Sequence, residues 1–275
     1  MNKYGFFIVS EKLDSLSGER MRVYRHYSGF SLTWIPRRGY HAKTFAIGVI
    51  GGASALKFED VNTGEKVNLP FGTPHALKHM IYFNHCDSSL EAEMAKLGAS
   101  IHSWTGYDVT TYYLESGGDL IEPGRILLNS LLSPLDTEEL FPKEKDVLLA
   151  ERRLYYDQIE ARSHSALRRI LYPNHAFSED YVGTVGSIDQ MTYQDLKTCQ
   201  DNFYVPGNLR MVAIGDYSED ALLEMVATLI EPHLERPHAT AEAQQPVDLP
   251  TYQAACETFP THEACFFVGI RDQRR

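Results

Sequence analysis

The stretch Gly72 to Phe83, GTPHALKHMIYF, constrains this chain most, because it places His75 and His79 four residues apart in a run with helical apolar spacing. Residues at i and i+4 share a helix face, so both imidazoles project the same way. Neutral ring nitrogens one turn apart can converge on a single zinc ion at about 2 Å from each. Pro74 falls naturally in the first turn, and Lys78 directly precedes the second histidine. Two ligands do not complete a zinc shell. The fold must therefore bring another donor to this helix from elsewhere in the chain.

Length and charge narrow the rest. With 275 residues, 43% of them hydrophobic and 23% charged, the chain can build one large domain or two smaller ones. A net charge of -11 without a basic stripe argues against nucleic acid as a partner. No apolar run approaches the roughly 20 residues that span a bilayer, and the opening MNKYGFFIVSEK lacks the apolar core and cleavage site of a signal peptide. Cys86, Cys199, Cys256 and Cys265 stand far apart without a CxxC pair. Neither a zinc knuckle nor a disulfide framework is indicated, so a reducing, cytoplasmic setting is expected.

Alternation in MRVYRHY and FSLTWIP, followed by the more continuously apolar KTFAIGVIGGA, predicts an opening set of strands. Residues 51 to 73 are turn-rich and lead to the His75 helix. Ser88 with Glu91 predicts a capping box for the helix SLEAEMAKL, which Gly98 stops. ASIHSWT and DVTTYYLES predict two strands joined through Gly106 and Tyr107. A helix from about Leu120 to Leu132 ends before Pro134. The longest helical pattern runs from Pro142 to about Ser163, with Val147, Leu148, Leu154, Tyr155 and Ile159 as its buried stripe. On it Glu144 and Glu151, seven residues apart, share a face, and Glu151 can supply the third ligand while leaving a fourth position open for water. After a loop to Gly186, Thr192 and Asp195 start a helix to about Phe203, NLRMVAIGD reads as a buried strand, and a last helix follows Ser218. Residues 232–250 carry four prolines and read as a linker. EACFFVGIR then reads as a further strand. The expected organisation is a domain over 1–231, the linker 232–250, and 251–275 as a returning strand or the start of an incomplete second domain.

The motif His75-Ala76-Leu77-Lys78-His79, with Glu151 72 residues beyond His79, resembles that of the pitrilysin and insulinase family of zinc metallopeptidases, in which H-x-x-E-H precedes a glutamate ligand at such a distance. Gly72, Met80 to Phe83, LGASIHSWT, Tyr112, YPNHAF, Gly183-Thr184 and FYVPGNLRMVAIGD resemble the family's flanking segments, over about 190 residues in all. The resemblance implies an α+β fold, a largely antiparallel sheet with helices packed on one face, followed by a second domain of similar fold. It implies zinc on His75, His79 and Glu151, with Glu144 in support. It also implies a peptide added as a strand to an exposed sheet edge, with His102, Ser103, Trp104, Thr105 and Tyr112 as local contacts. His102 replaces the family's Asn.

Lys78 is the larger departure, because it stands where the family's Glu takes a proton from the attacking water and passes it to the leaving amine. An ammonium cannot accept that proton, and the lysine pKa of about 10.4 would have to fall by about three units to give a useful neutral fraction near pH 7. The expected function is thus a peptide-binding, hydrolytically impaired relative that partners a homologous active subunit. Two alternatives stay open. One is an active zinc endopeptidase using another base, neutral Lys78 included. The other is a metal-free assembly subunit in which Lys78 pairs with Glu151 or Glu144. Ser100, His102 and Ser103 make no serine triad, since a strand alternates their directions and no aspartate partners them.

Overall fold

The computed structural model describes residues 1–85, 88–173, 175–242, 254, 256, 258 and 265–270. Among the described residues nine strands form in chain order: β1 (Phe6–Leu13), β2 (Arg20–His26), β3 (Ser31–Pro36), β4 (Lys43–Ile50), β5 (Lys57–Glu59), β6 (Lys66–Asn68), β7 (Ala99–Thr105), β8 (Val109–Ser116) and β9 (Leu209–Gly215). Burial alternates along the central ones. Phe45, Ile47 and Val49 of β4, Tyr112 and Leu114 of β8, and Leu209, Met211 and Ala213 of β9 are all buried on one sheet face, as period-2 side-chain geometry requires. The seven-stranded sheet runs β1-β2-β3-β9-β4-β8-β7. Every pair is antiparallel except β3 with β9, which is parallel. A separate small hairpin pairs β5 with β6.

The helices are α1 (Thr73–Ile81), α2 (Leu90–Lys96), α3 (Ile121–Leu132), α4 (Phe141–Tyr156), α5 (Ile159–Leu171), α6 (Val185–Gln190), α7 (Tyr193–Phe203) and α8 (Glu219–Ile230). They cover the buried sheet face, giving the expected α+β layering. Ala76, Leu77, Met80 and Ile81 of α1 are buried in the shared core. Thr192 and Asp195 form the capping box of α7, and Ser218 caps α8. Among the described residues, no helix is long and apolar enough to cross a membrane.

Several expectations need correction. The opening apolar patch is a strand, β1, whose Phe6 is buried while Phe7, Ile8 and Val9 stay exposed. The turn-rich stretch before α1 holds β5 and β6. Ser89, not Ser88, caps α2, its side chain accepting from the Ala92 N–H at 3.2 Å. The single long helix breaks at Asp157 and Gln158, where Gln158 is extended, so α4 and α5 are separate. Its predicted stripe holds only in part. Leu148 is buried as expected, but Val147 and Leu154 are exposed, and Phe141 and Glu144 are buried in their place, because the face of α4 toward α1 carries Glu144 and Glu151 beside its apolar residues. The predicted loop before Gly186 is followed at once by α6. The described part of EACFFVGIR, residues 265–270, is in no strand; its Phe267 ring lies 5.0 Å from that of His164 on α5.

Candidate metal centre

Helix α1 enters the core after a tight turn that depends on two glycines. Gly72 and Gly183 both have φ of 90°, and a Cβ on Gly72 would stand 2.4 Å from the Val182 carbonyl while one on Gly183 would stand 2.4 Å from that of Phe71. Such backbone approach is open to glycine alone. The crossing pins residues 180–184 against the start of α1. One turn later His75 is buried and His79 half-buried, and their rings meet edge to face with centroids 4.8 Å apart.

Helix α4 packs across α1 and supplies the carboxylates. Glu151 Oε2 lies 3.2 Å from His75 Nε2 and 3.3 Å from His79 Nε2. Glu144 Oε2 lies 3.4 Å from His79 Nδ1. Spaced two turns apart on α4, the two glutamates thus reach the same histidine from opposite sides. The ligand-type atoms of His75, His79 and Glu151 all fall within 4.8 Å of one another. A tetrahedral zinc shell with bonds of about 2 Å separates neighbouring donors by about 3.3 Å, so the two Nε2-to-carboxylate distances suit that shell. His79 Nε2 is buried without a hydrogen-bond partner, as is His75 Nδ1. The first of these faces the cluster, with Glu144 behind the other ring nitrogen. A carboxylate so placed fixes a histidine's tautomer and orientation toward a metal. The donor set therefore fits zinc.

Electrostatics differ between these neighbours. Burial pushes His75 down to about 4, against the raising effect of the hydrogen bond to Glu151. His79 is also opposed by burial, but the Glu144 and Glu151 carboxylates beside its ring carry it above the ordinary value. The hydrogen bond from His75, with the His79 ring beside it, holds the Glu151 carboxyl well below the usual carboxylate range. Lys78 is lowered by burial, with Glu151 acting the other way. Among the described residues Lys78 makes no ion pair or side-chain hydrogen bond. The pairing with Glu151 or Glu144 that the metal-free alternative invokes is not formed among the described residues, where both carboxylates face the histidines.

The predicted peptide contacts divide by strand alternation. Among the described residues β7 is an open sheet edge, bonded to β8 alone. His102 and Trp104 are exposed and lie on the face away from the helices, His102 stacking on Tyr113 with centroids 5.0 Å apart. Ser103 and Thr105 turn toward the helices. Tyr112 is fully buried and its hydroxyl lies 3.1 Å from that of Tyr204; it is a core residue with no surface to offer a peptide. Sequence reasoning missed Tyr181, whose ring centroid lies 5.3 Å from that of His75. It also missed buried Asp180, which accepts from Tyr156 and from Ser165 Oγ at 2.9 Å and pairs with Arg168. Gly183, two residues after Tyr181, is a sequence signal that could have drawn attention to this loop.

No protein-family profile matches the chain. Its sequence is similar to the uncharacterized zinc protease YmfH of Bacillus subtilis, 27% identical over 200 residues that make up 72% of this chain and 46% of the relative. It is similar to the mitochondrial-processing peptidase subunit beta of Caenorhabditis elegans, 26% identical over 56% of this chain and 34% of the relative. Among solved structures it superposes on an M16-like peptidase of Alicyclobacillus acidocaldarius with a TM-score of 0.75 and 26% identity, over 81% of this chain and 52% of the other. Pitrilysin shares the fold at a TM-score of 0.70 and 18% identity, over 85% of this chain and 25% of the other. So does the inactive domain of a peptidase M16 from Pseudomonas fluorescens, at 0.68 and 19%, over 82% and 54%. The chain spans about half or less of the length of the relatives it matches.

Proposed function

Because the chain belongs to the pitrilysin/insulinase-type family of peptidases, we propose that it holds zinc on His75, His79 and Glu151 but binds peptides without hydrolysing them efficiently. The observation that carries this reading is Lys78, half-buried on α1 between two donor histidines, where the family places its proton acceptor. When bound, zinc would polarise a peptide carbonyl and acidify water. The chain's own residues do the rest. His75 and His79 present their Nε2 atoms, Glu151 balances charge, and Glu144 holds the His79 ring in register. None of them replaces a base at position 78, and loss of a general base costs about 10² to 10⁴ in rate. The open edge of β7 beside α1 accepts an extended peptide through backbone hydrogen bonds, with Ser103 and Thr105 on the helix side and His102 and Trp104 on the other.

This reading makes the chain the incomplete half of a clamshell whose other half is a second peptidase-like domain or a homologous subunit with an intact motif. The similarity to an M16 inactive domain and to a peptidase subunit supports it. In the same proposal residues 1–231 form the peptidase-like domain, 232–250 a linker, and 251–275 a returning strand or the start of an incomplete second domain. A reducing, cytoplasmic setting is consistent with Cys199, Cys256 and Cys265 standing as free thiols.

The test is Lys78→Glu, with zinc content and cleavage of a quenched peptide measured together, with and without chelator. We expect about one zinc per chain in both forms and chelator-sensitive cleavage that rises by at least about 100-fold in the variant when the partner half is supplied. Chelator-sensitive cleavage of equal rate by the unmodified chain would instead establish an active endopeptidase. Absence of zinc from both forms would establish the metal-free assembly subunit.

A further inference from the structure

Lys78 does more than remove a base. It introduces a half-buried ammonium that lacks an ion-pair or hydrogen-bond partner among the described residues, and a charge withdrawn from water needs a counter-ion. The two nearby carboxylates are committed elsewhere, Glu151 to both histidines and Glu144 to His79, at 3.2 to 3.4 Å. On α1, Lys78 stands three residues after His75 and one before His79, so its side chain leaves the helix beside the His75 ring. With zinc in place, two carboxylates face one ammonium and a divalent cation. The centre then carries net positive charge and an open ligand position.

Resting on the zinc reading above, we infer that the loaded centre is a carboxylate-binding site, with Lys78 as the counter-charge that selects the anion. The neighbouring surface identifies the source. Helix α1 packs beside β7, whose free edge is built to receive an extended chain. The carboxylate is therefore one carried by a peptide, as its free C-terminus or as an aspartate or glutamate side chain. A centre built this way captures an acidic group where an intact relative would direct water at an amide.

Thermodynamic linkage makes this measurable without catalysis, since zinc and carboxylate must tighten each other by the same factor. Zinc chloride is titrated into the metal-stripped chain alone and with each of three otherwise identical peptides. One carries a free C-terminus and no acidic residue, one is amidated with an internal Glu, and one is amidated without acidic residues. The first, the second or both should tighten zinc by about tenfold or more, the worth of a charge-assisted hydrogen bond, and which does so identifies the source. The third should leave zinc affinity within about twofold. Lys78→Arg should keep the coupling and Lys78→Met should lose it, with circular dichroism showing both folded. Coupling that is equal for the neutral peptide, or unchanged in Lys78→Met, overturns the inference and leaves the zinc reading intact. Failure to bind zinc in every arm overturns both.

Discussion

His75 and His79 lie one turn apart on α1 yet hold protons differently, and that difference has a sign. His75 is held down to about 4 by burial, so the unfolded chain takes up its proton near the ordinary value of about 6.5 while the folded chain resists. Its contribution to stability is present above that value and is lost as pH falls toward 4. His79 is raised, so its contribution is fully present below about 6.5 and fades only at higher pH. Below pH 6, His75 therefore sets the slope between the two. The metal-stripped protein should lose about 2 kcal/mol of stability between pH 6 and 4.5 through this residue. Denaturant melts of His75→Gln and unmodified protein, compared at both pH values, should show a shallower loss in the variant. The two histidines are legible in sequence from residue type and helical spacing, and Glu151 from its place 72 residues beyond His79, the interval that resembles the family motif. Tyr181 is not legible, since no periodicity connects position 181 to position 75.

At the scale of elements, the centre is a crossing of two helices braced by a loop. α1 brings the histidines and α4 the glutamates, and residues 180–184 wedge against the start of α1 while anchoring to α5. The anchor is buried Asp180, which takes hydrogen bonds from Tyr156 and Ser165 and pairs with Arg168. Breaking a buried ion pair from one side costs about 3 to 5 kcal/mol. Asp180→Ala should lower the melting temperature and also weaken zinc binding, because Tyr181 loses its fixed place against His75. Asp180→Asn, which can still accept from Tyr156 or Ser165, should recover part of both, measured by calorimetry and zinc titration. A variant that lost stability with unchanged zinc affinity would confine Asp180 to packing. The stripe predicted for α4 is right at Leu148 and wrong at Val147 and Leu154. Apolar spacing is read as the buried face, but here the inward positions pair Phe141 and Leu148 with Glu144 and Glu151, so carboxylates interrupt the amphipathic pattern.

At the scale of the whole molecule, the strands beside the centre are β7 and β8, while β1, β2 and β3 form the far side of the sheet. Period-2 patterning made most strands legible as elements. It could not reveal their order, because a buried strand such as β9 looks the same at an edge or in the middle. The structure puts β9 in the middle, parallel to β3 and antiparallel to β4.

That placement makes β9 a keystone, laid late in synthesis although it bears load from both sides. Every residue of the metal centre precedes it in the chain, so all the ligands leave the ribosome while the sheet is still two unjoined leaves. Phe45, Ile47, Leu32 and Trp34 then wait for a neighbour that arrives only with Leu209–Gly215. Non-local closure of this kind is slow and leaves strand edges open to misassociation. A chain stopped at residue 208 should aggregate or unfold without cooperativity and hold zinc poorly. One stopped at 242 should melt cooperatively with zinc retained, as scanning calorimetry and metal analysis of the two would show.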